Sequence, residues 1–86
     1  MFYVYVLSSE KAKRLYKGLT SDLRRRLQEH NSGHVLATKG YRPWKLIYYE
    51  AFLIKKDAEI EEKFLKSGKG RQRLQYLLQH TQRRGG

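Results

Sequence analysis

The sequence predicts a single small α+β domain. Three observations carry this. Three stretches have strand character, three have helical character, and 86 residues leave room for one modest core. Hydrophobic residues make up 40% and aromatics 13%, which is too apolar for a disordered tail.

Phe2 to Leu7 is aromatic, β-branched and alternating, so it predicts a strand. Phe2, Val4 and Val6 face one side; Tyr3, Tyr5 and Leu7 face the other. Ser8 to Lys13 is a short polar connection, and Arg14 to Leu19 predicts the second strand of a hairpin. Antiparallel pairing then brings Tyr5 near Tyr16, because opposed residues share a face about 5 Å apart. Thr20-Ser21-Asp22 opens a helix with a hydroxyl N-cap and an acidic first turn. That helix is expected to end near Asn31, with Gly33 as its stop.

Leu23 and Leu27 form the helix's apolar stripe. Arg26 and His30 lie four apart beside it, on one face. Gly33 to Pro43 has no periodicity and is expected to be a loop. Trp44 to Phe52 is the densest apolar run and predicts a strand buried on both faces. Lys55 to Lys66 predicts a helix in which Glu62 falls between Ala58 and Leu65, on a side that should be apolar. Ser67-Gly68-Lys69-Gly70 should break it. Arg71 to Gln79 should restart it with Leu74, Leu77 and Leu78 inward. The domain is expected over 1–80, with 81–86 a frayed basic tail.

Composition narrows the function. Nineteen Lys+Arg against eight Asp+Glu give a net charge of +11, which points to a polyanionic partner, most often nucleic acid. The chain has no cysteine, which removes disulfides, thiolate metal sites and a thiol nucleophile, and fits a reducing, cytoplasmic setting. No apolar run approaches the roughly 20 residues of a membrane span. The N-terminal residues lack the basic segment and cleavage site of a signal peptide.

Five residues have the chemistry that phosphodiester hydrolysis needs: Tyr5, Tyr16, Arg26, His30 and Glu62. A phenol beside a cation can accept a proton from water. A guanidinium matches phosphate oxygens. An imidazole one turn on can bind phosphate or move a proton. A lone glutamate can hold Mg²⁺ or Mn²⁺ together with waters. Each also has a structural explanation: cross-strand aromatic packing, a snorkelling arginine, a satisfied histidine, and a Glu62–Lys66 helix pair. Lys39, Arg42 and Lys69 are candidate backbone contacts for nucleic acid, on loop position and charge alone.

In this order and spacing the residues resemble the GIY-YIG endonuclease family. Tyr3-Val4-Tyr5 stands at its first motif and Tyr16-Lys17-Gly18 at its second. Arg26 matches the helical arginine, His30 a histidine of many members, and Glu62 the metal-binding glutamate. Arg26-Leu27-Gln28-Glu29-His30, Arg42-Pro43-Trp44 and Lys66-Ser67-Gly68-Lys69-Gly70-Arg71 look like the small single-domain members. The resemblance spans about residues 2 to 79. It implies a three-stranded, largely antiparallel sheet flanked by helices and hydrolysis of a DNA phosphodiester. Glu62 would ligate one divalent metal, Arg26 would clamp the phosphate, and either Tyr5 or Tyr16 would activate the water.

Structured DNA or weak sequence preference, a role in repair or recombination, and a targeting partner protein are the implied setting. A non-catalytic nucleic-acid-binding module and an RNA-directed activity are the competing expectations. Two departures stand out: Tyr3 where glycine is usual, and Lys17 where an aliphatic residue is usual. Lys17 is expected on the face opposite Tyr16.

Overall fold

The structure is a computed structural model and describes residues 1–83. In chain order it contains β1 (Phe2–Ser9), β2 (Leu15–Thr20), α1 (Leu23–Asn31), α2 (Leu36–Lys39), β3 (Trp44–Phe52), α3 (Lys55–Leu65), α4 (Gly68–Leu77) and α5 (Gln79–Arg83). The sheet is wholly antiparallel, in the order β2-β1-β3. The expected α+β architecture is therefore present, with two short helices added.

The central strand is β1, not β3. Val4, Tyr5, Val6 and Leu7 are all buried, whereas β3 lies at an edge and leaves Tyr49 53% exposed. This corrects the expectation of a doubly buried β3. Its apolar residues serve both faces, Ile47, Tyr48 and Phe52 on one and Trp44 and Leu46 on the other, but as an edge strand it is covered less completely than β1. Tyr3, where the family usually has glycine, packs edge-on against Tyr49 with ring centroids 6.0 Å apart.

The two faces of the sheet bury two separate clusters. Val4 and Val6 pack with Ala58 and Leu65 of α3 and Leu74 and Leu78 near the end of α4. Tyr5 and Leu7 pack with Trp44, Tyr16 and the α1 stripe Leu23 and Leu27. Alternation along β1 thus assigns one helix layer to each face.

Local details differ from the sequence expectation at five points. The cap of α1 is Asp22, whose carboxylate accepts from Arg25 N at 3.1 Å, while Thr20 Oγ1 accepts from Asp22 N one step earlier. The expected loop after Gly33 contains α2, held by Val35 carbonyl bonds to Thr38 N and Lys39 N. The expected break falls at residues 66–67 and is shorter than expected: Ser67 caps α4 by accepting from Gly70 N at 3.1 Å, so Gly68 and Gly70 lie in the first turn. Leu77, expected inward, is 37% exposed. Helical backbone continues through Thr81 to Arg83 in α5, where a frayed tail was expected; residues 84–86 lie outside the described ones.

Candidate active site

The site is built on the β1–β2 hairpin and the face of α1 above it. Tyr5 stands opposite Gly18, and Leu7 opposite Tyr16, so both tyrosines project from the same face. Their rings lie 6.4 Å apart, centroid to centroid. Tyr5 lies directly over Gly18: a Cβ there would sit 2.4 Å from the Tyr5 hydroxyl oxygen. Only glycine leaves the phenol this position.

His30 closes over the pair from α1. It is fully buried, and its ring centroid is 4.9 Å from that of Tyr16. Its Nε2 lies 2.8 Å from the Tyr5 hydroxyl, and its Nδ1 lies 2.8 Å from Thr38 Oγ1. Thr38 Oγ1 donates to the Val35 carbonyl at 3.4 Å, which leaves its lone pairs for His30 Nδ1–H. We therefore assign Nε2 as the acceptor, with the Tyr5 hydroxyl donating to it. Burial, then the positive charge of Arg26, pushes His30 below the usual histidine value.

Arg26 lies one turn before His30. Its guanidinium lies near enough to act on the Tyr5 phenol and is held by Glu29, with Nη1 donating to Oε1 at 2.9 Å. Tyr5 is pulled both ways. Burial raises it most and the nearby Arg26 guanidinium opposes that; the net shift is upward, so the phenol holds its proton at neutral pH. A shallow cavity of about 340 Å³ opens beside Arg26, lined by Phe2, Thr20, Ser21, Arg25, Glu29 and Lys55 among others.

Glu62 comes from the other helix layer. Its side chain is 25% exposed and accepts from Lys66 Nζ at 3.1 Å. Its charge still reaches Tyr5, where it raises the phenol. The helix pair expected of a structural glutamate is thus present. Among the described residues, no three His, Asp or Glu side chains gather as a metal cluster. Glu62 is a single carboxylate, partly open to solvent. That donor set suits a hard cation that keeps most of its waters.

The remaining candidates fall outside this cluster. Lys39 and Lys69 are exposed on α2 and α4. Arg42 is braced: its Nε donates to the Lys39 carbonyl at 2.8 Å, and its guanidinium covers Gly33. Lys17 stands opposite Val6, on the face away from Tyr16, as expected. Thr38 was missed. It is fully buried and orients His30, yet a four-residue helix carries no periodic signal that would single it out.

The model of the GIY-YIG catalytic domain matches residues 1–83, the whole described chain. The chain belongs to the GIY-YIG family. Within it, this GIY-YIG domain is similar to small proteins of the UPF0213 group. It is 38% identical over 78 residues to one from Clostridium perfringens, covering 90% of this chain and 83% of that one. It is 42% identical over 80 residues to one from Streptococcus pyogenes, covering 91% and 86%. The solution NMR structure of a UPF0213 protein from Bacillus halodurans has 34% identity and a TM-score of 0.56, covering 90% of this chain and 85% of that one. Among the described residues, no helix is long and apolar enough to cross a membrane.

Proposed function

We propose that this GIY-YIG domain is a divalent-metal-dependent endonuclease that hydrolyses DNA phosphodiester bonds, selecting targets by structure or by weak sequence preference. One observation carries the reading: His30 Nε2 lies 2.8 Å behind the Tyr5 hydroxyl, and Arg26, one helical turn before His30 on α1, acts on the same phenol. A phosphate held by Arg26 therefore lies beside a phenol that already has a proton acceptor behind it.

The residues act in sequence. Arg26 exchanges Glu29 for non-bridging phosphate oxygens; both side chains are about one-third exposed, so the exchange costs little. The attacking water's oxygen forms its bond to phosphorus and gives its proton to the Tyr5 oxygen. Tyr5 passes its own proton to His30 Nε2, which is neutral and has its lone pair directed at the phenol. The bond from phosphorus to the leaving oxygen breaks, and that oxygen takes a proton from solvent. Arg26 is needed most as charge gathers on the phosphate oxygens. Tyr16, packed against His30, bounds the space left for the water. Thr38 holds the imidazole in the tautomer that can accept.

Glu62 is the residue that would hold Mg²⁺ or Mn²⁺. When bound there, the ion supplies Lewis-acid stabilisation of the charge on the reacting phosphate. The +11 net charge supports a nucleic-acid substrate, with Lys39 and Lys69 as exposed backbone contacts and Arg42 adding charge from its braced position. A cytoplasmic setting, a part in DNA repair or recombination and a partner protein for targeting complete the proposal.

The test is a panel of supercoiled, nicked, branched and single-stranded DNA, and matching RNA, with Mg²⁺ or Mn²⁺. Wild type should cleave at least one DNA form. Glu62→Gln should abolish cleavage and leave binding in EDTA largely intact. Binding to every form with cleavage of none would replace this reading with a non-catalytic binding module. Cleavage that survives Glu62→Gln would move the chemistry elsewhere.

A further inference from the structure

The cavity beside Arg26 lies at the open end of the β1–β2 hairpin, where Tyr3 pairs with Thr20. Four elements meet there. Phe2 comes from β1, Leu19 from β2, Arg25, Arg26 and Glu29 from α1, and Lys55 is the first residue of α3. Its walls are of two kinds. Phe2 and Leu19 are apolar, partly buried and backed by the core beneath α3 and α4. The α1 and α3 side chains are charged.

One carboxylate holds both arginines. Arg26 Nη1 donates to Glu29 Oε1 at 2.9 Å, and Arg25 Nε lies 3.7 Å from Glu29 Oε2. Each oxygen therefore faces a different guanidinium, which the i,i+3 and i,i+4 spacings along α1 allow. Glu29 thus demonstrates that a single oxyanion fits between the two groups at the cavity wall. Phosphate oxygens suit the same guanidinium forks. Lys55, across the cavity, makes no ion pair among the described residues. Three cations face one carboxylate, and that surplus favours a further anion. The Arg25 and Glu29 side chains are 68% and 36% exposed, so their pairing is weak and readily exchanged.

An apolar wall beside a cationic one suits a nucleotide better than a bare anion: a sugar or base covers Phe2 and Leu19 while phosphate meets the cations. We infer that this cavity is the subsite for the nucleotide adjoining the scissile phosphate, with its second phosphate at Arg25 and Lys55, and that Glu29 occupies the subsite as a phosphate mimic in the free protein. The inference rests on the proposed nuclease reading for the phosphate at Arg26. Binding of the strand turns Glu29 out to solvent and frees both guanidinium groups.

The probe is thymidine bisphosphate, one nucleoside with a phosphate on each side of its sugar. It is titrated in EDTA into the isotope-labelled full chain and followed by NMR. The Nε–Hε signals of Arg25 and Arg26 and the Lys55 amide should move together along one saturable curve. Nuclear Overhauser contacts should join the Phe2 ring to the sugar or the base. Inorganic phosphate should bind more weakly. Glu29→Gln should tighten the bisphosphate by about two- to fivefold, the worth of an exposed ion pair. Glu10→Gln removes the same charge from an exposed position at the turn end of the hairpin and should leave the affinity at its wild-type value. Arg25→Gln and Lys55→Gln should each weaken binding several-fold.

No saturable shift at Arg25 and Lys55, or shifts that follow different curves, would overturn the subsite. Inorganic phosphate binding as tightly as the bisphosphate would do the same, as would equal gains from Glu29→Gln and Glu10→Gln. None of the four substitutions alters a buried side chain, so each variant should melt with wild type. Absence of DNA cleavage with Mg²⁺ bears on the nuclease reading, whereas the titration contains no metal and reads the subsite alone.

Discussion

Gly18 and Tyr5 occupy one another's space: the phenol lies where a side chain on residue 18 would be, 2.4 Å from the Cβ that glycine lacks. The glycine of the second motif therefore serves the tyrosine of the first. Gly18→Ala should push the Tyr5 ring off His30. Overpacking of this kind costs about 1–3 kcal/mol. Urea unfolding should register that loss, and cleavage should fall further than stability explains, because the hydroxyl is displaced.

Thr38 orients His30 through Nδ1. Thr38→Val keeps the shape and removes the partner, leaving a buried ring nitrogen unsatisfied at a cost of about 1–3 kcal/mol. His30 itself makes stability depend on pH. Its folded value lies below the ordinary 6.5, so the unfolded chain binds a proton first as pH falls. Stability from this group is complete above about pH 6.5 and declines below it. His30→Gln should flatten that decline in circular-dichroism melts between about pH 5 and 7, and remove the low-pH limb of the cleavage profile.

Glu61 behaves in the opposite sense. A hydrogen bond to Glu50, then burial, then the Glu50 charge raise it from 4.5 to about 7. Glu50 Oε2 accepts from Tyr48 at 2.8 Å, while its Oε1 is buried with no other donor; a proton on Glu61 satisfies it. The folded carboxyl keeps its proton after the unfolded one has lost it. Stability is whole below about pH 4.5 and is lost as pH rises toward about 7. Glu61→Gln should exceed wild type near pH 8 by on the order of 1–2 kcal/mol after solvent screening, and match it near pH 4. Equal melting at both pH values would rule out the shared proton.

Two glycines should respond oppositely to alanine. Gly70 has the Phe64 carbonyl oxygen 1.9 Å from its missing Cβ, so Gly70→Ala forces α4 off α3 and should cost at least about 1–3 kcal/mol. Gly40 has no atom within 4 Å of that position and a negative φ of -77°. Gly40→Ala should be neutral or stabilise by about 0.4–1 kcal/mol through the unfolded chain. Parallel thermal melts check both.

Much of the architecture was legible because period-two alternation in Phe2 to Leu7 assigns each side chain to a face. That alternation alone placed Tyr5 with Tyr16 and Lys17 opposite them. The i,i+4 spacing of Arg26 and His30 likewise survived folding, since both flank the partly buried leucines of α1. What escaped depended on tertiary packing. Trp44 to Phe52 has the composition of a central strand, but sheet order is decided by which strand pairs twice. Thr38 lies in a turn of helix too short to show a pattern. Gly70 suggests only a break until the close approach of two helices makes its lack of a side chain necessary.

The rotational phase of α3 decides which acid pairs with Lys66. Glu61 and Glu62 are neighbours, about 100° apart around the axis. One meets Glu50 and Arg73 under the sheet; the other meets Lys66 and the field at Tyr5. Turning the helix by a single residue would exchange the carboxyl that meets Glu50 for the one paired with Lys66. Ala58 and Leu65 on one side, and the tight seating at Gly70, act as the detent that prevents it. Selection of the candidate metal ligand is thus delegated to apolar side chains and a glycine that never touch substrate.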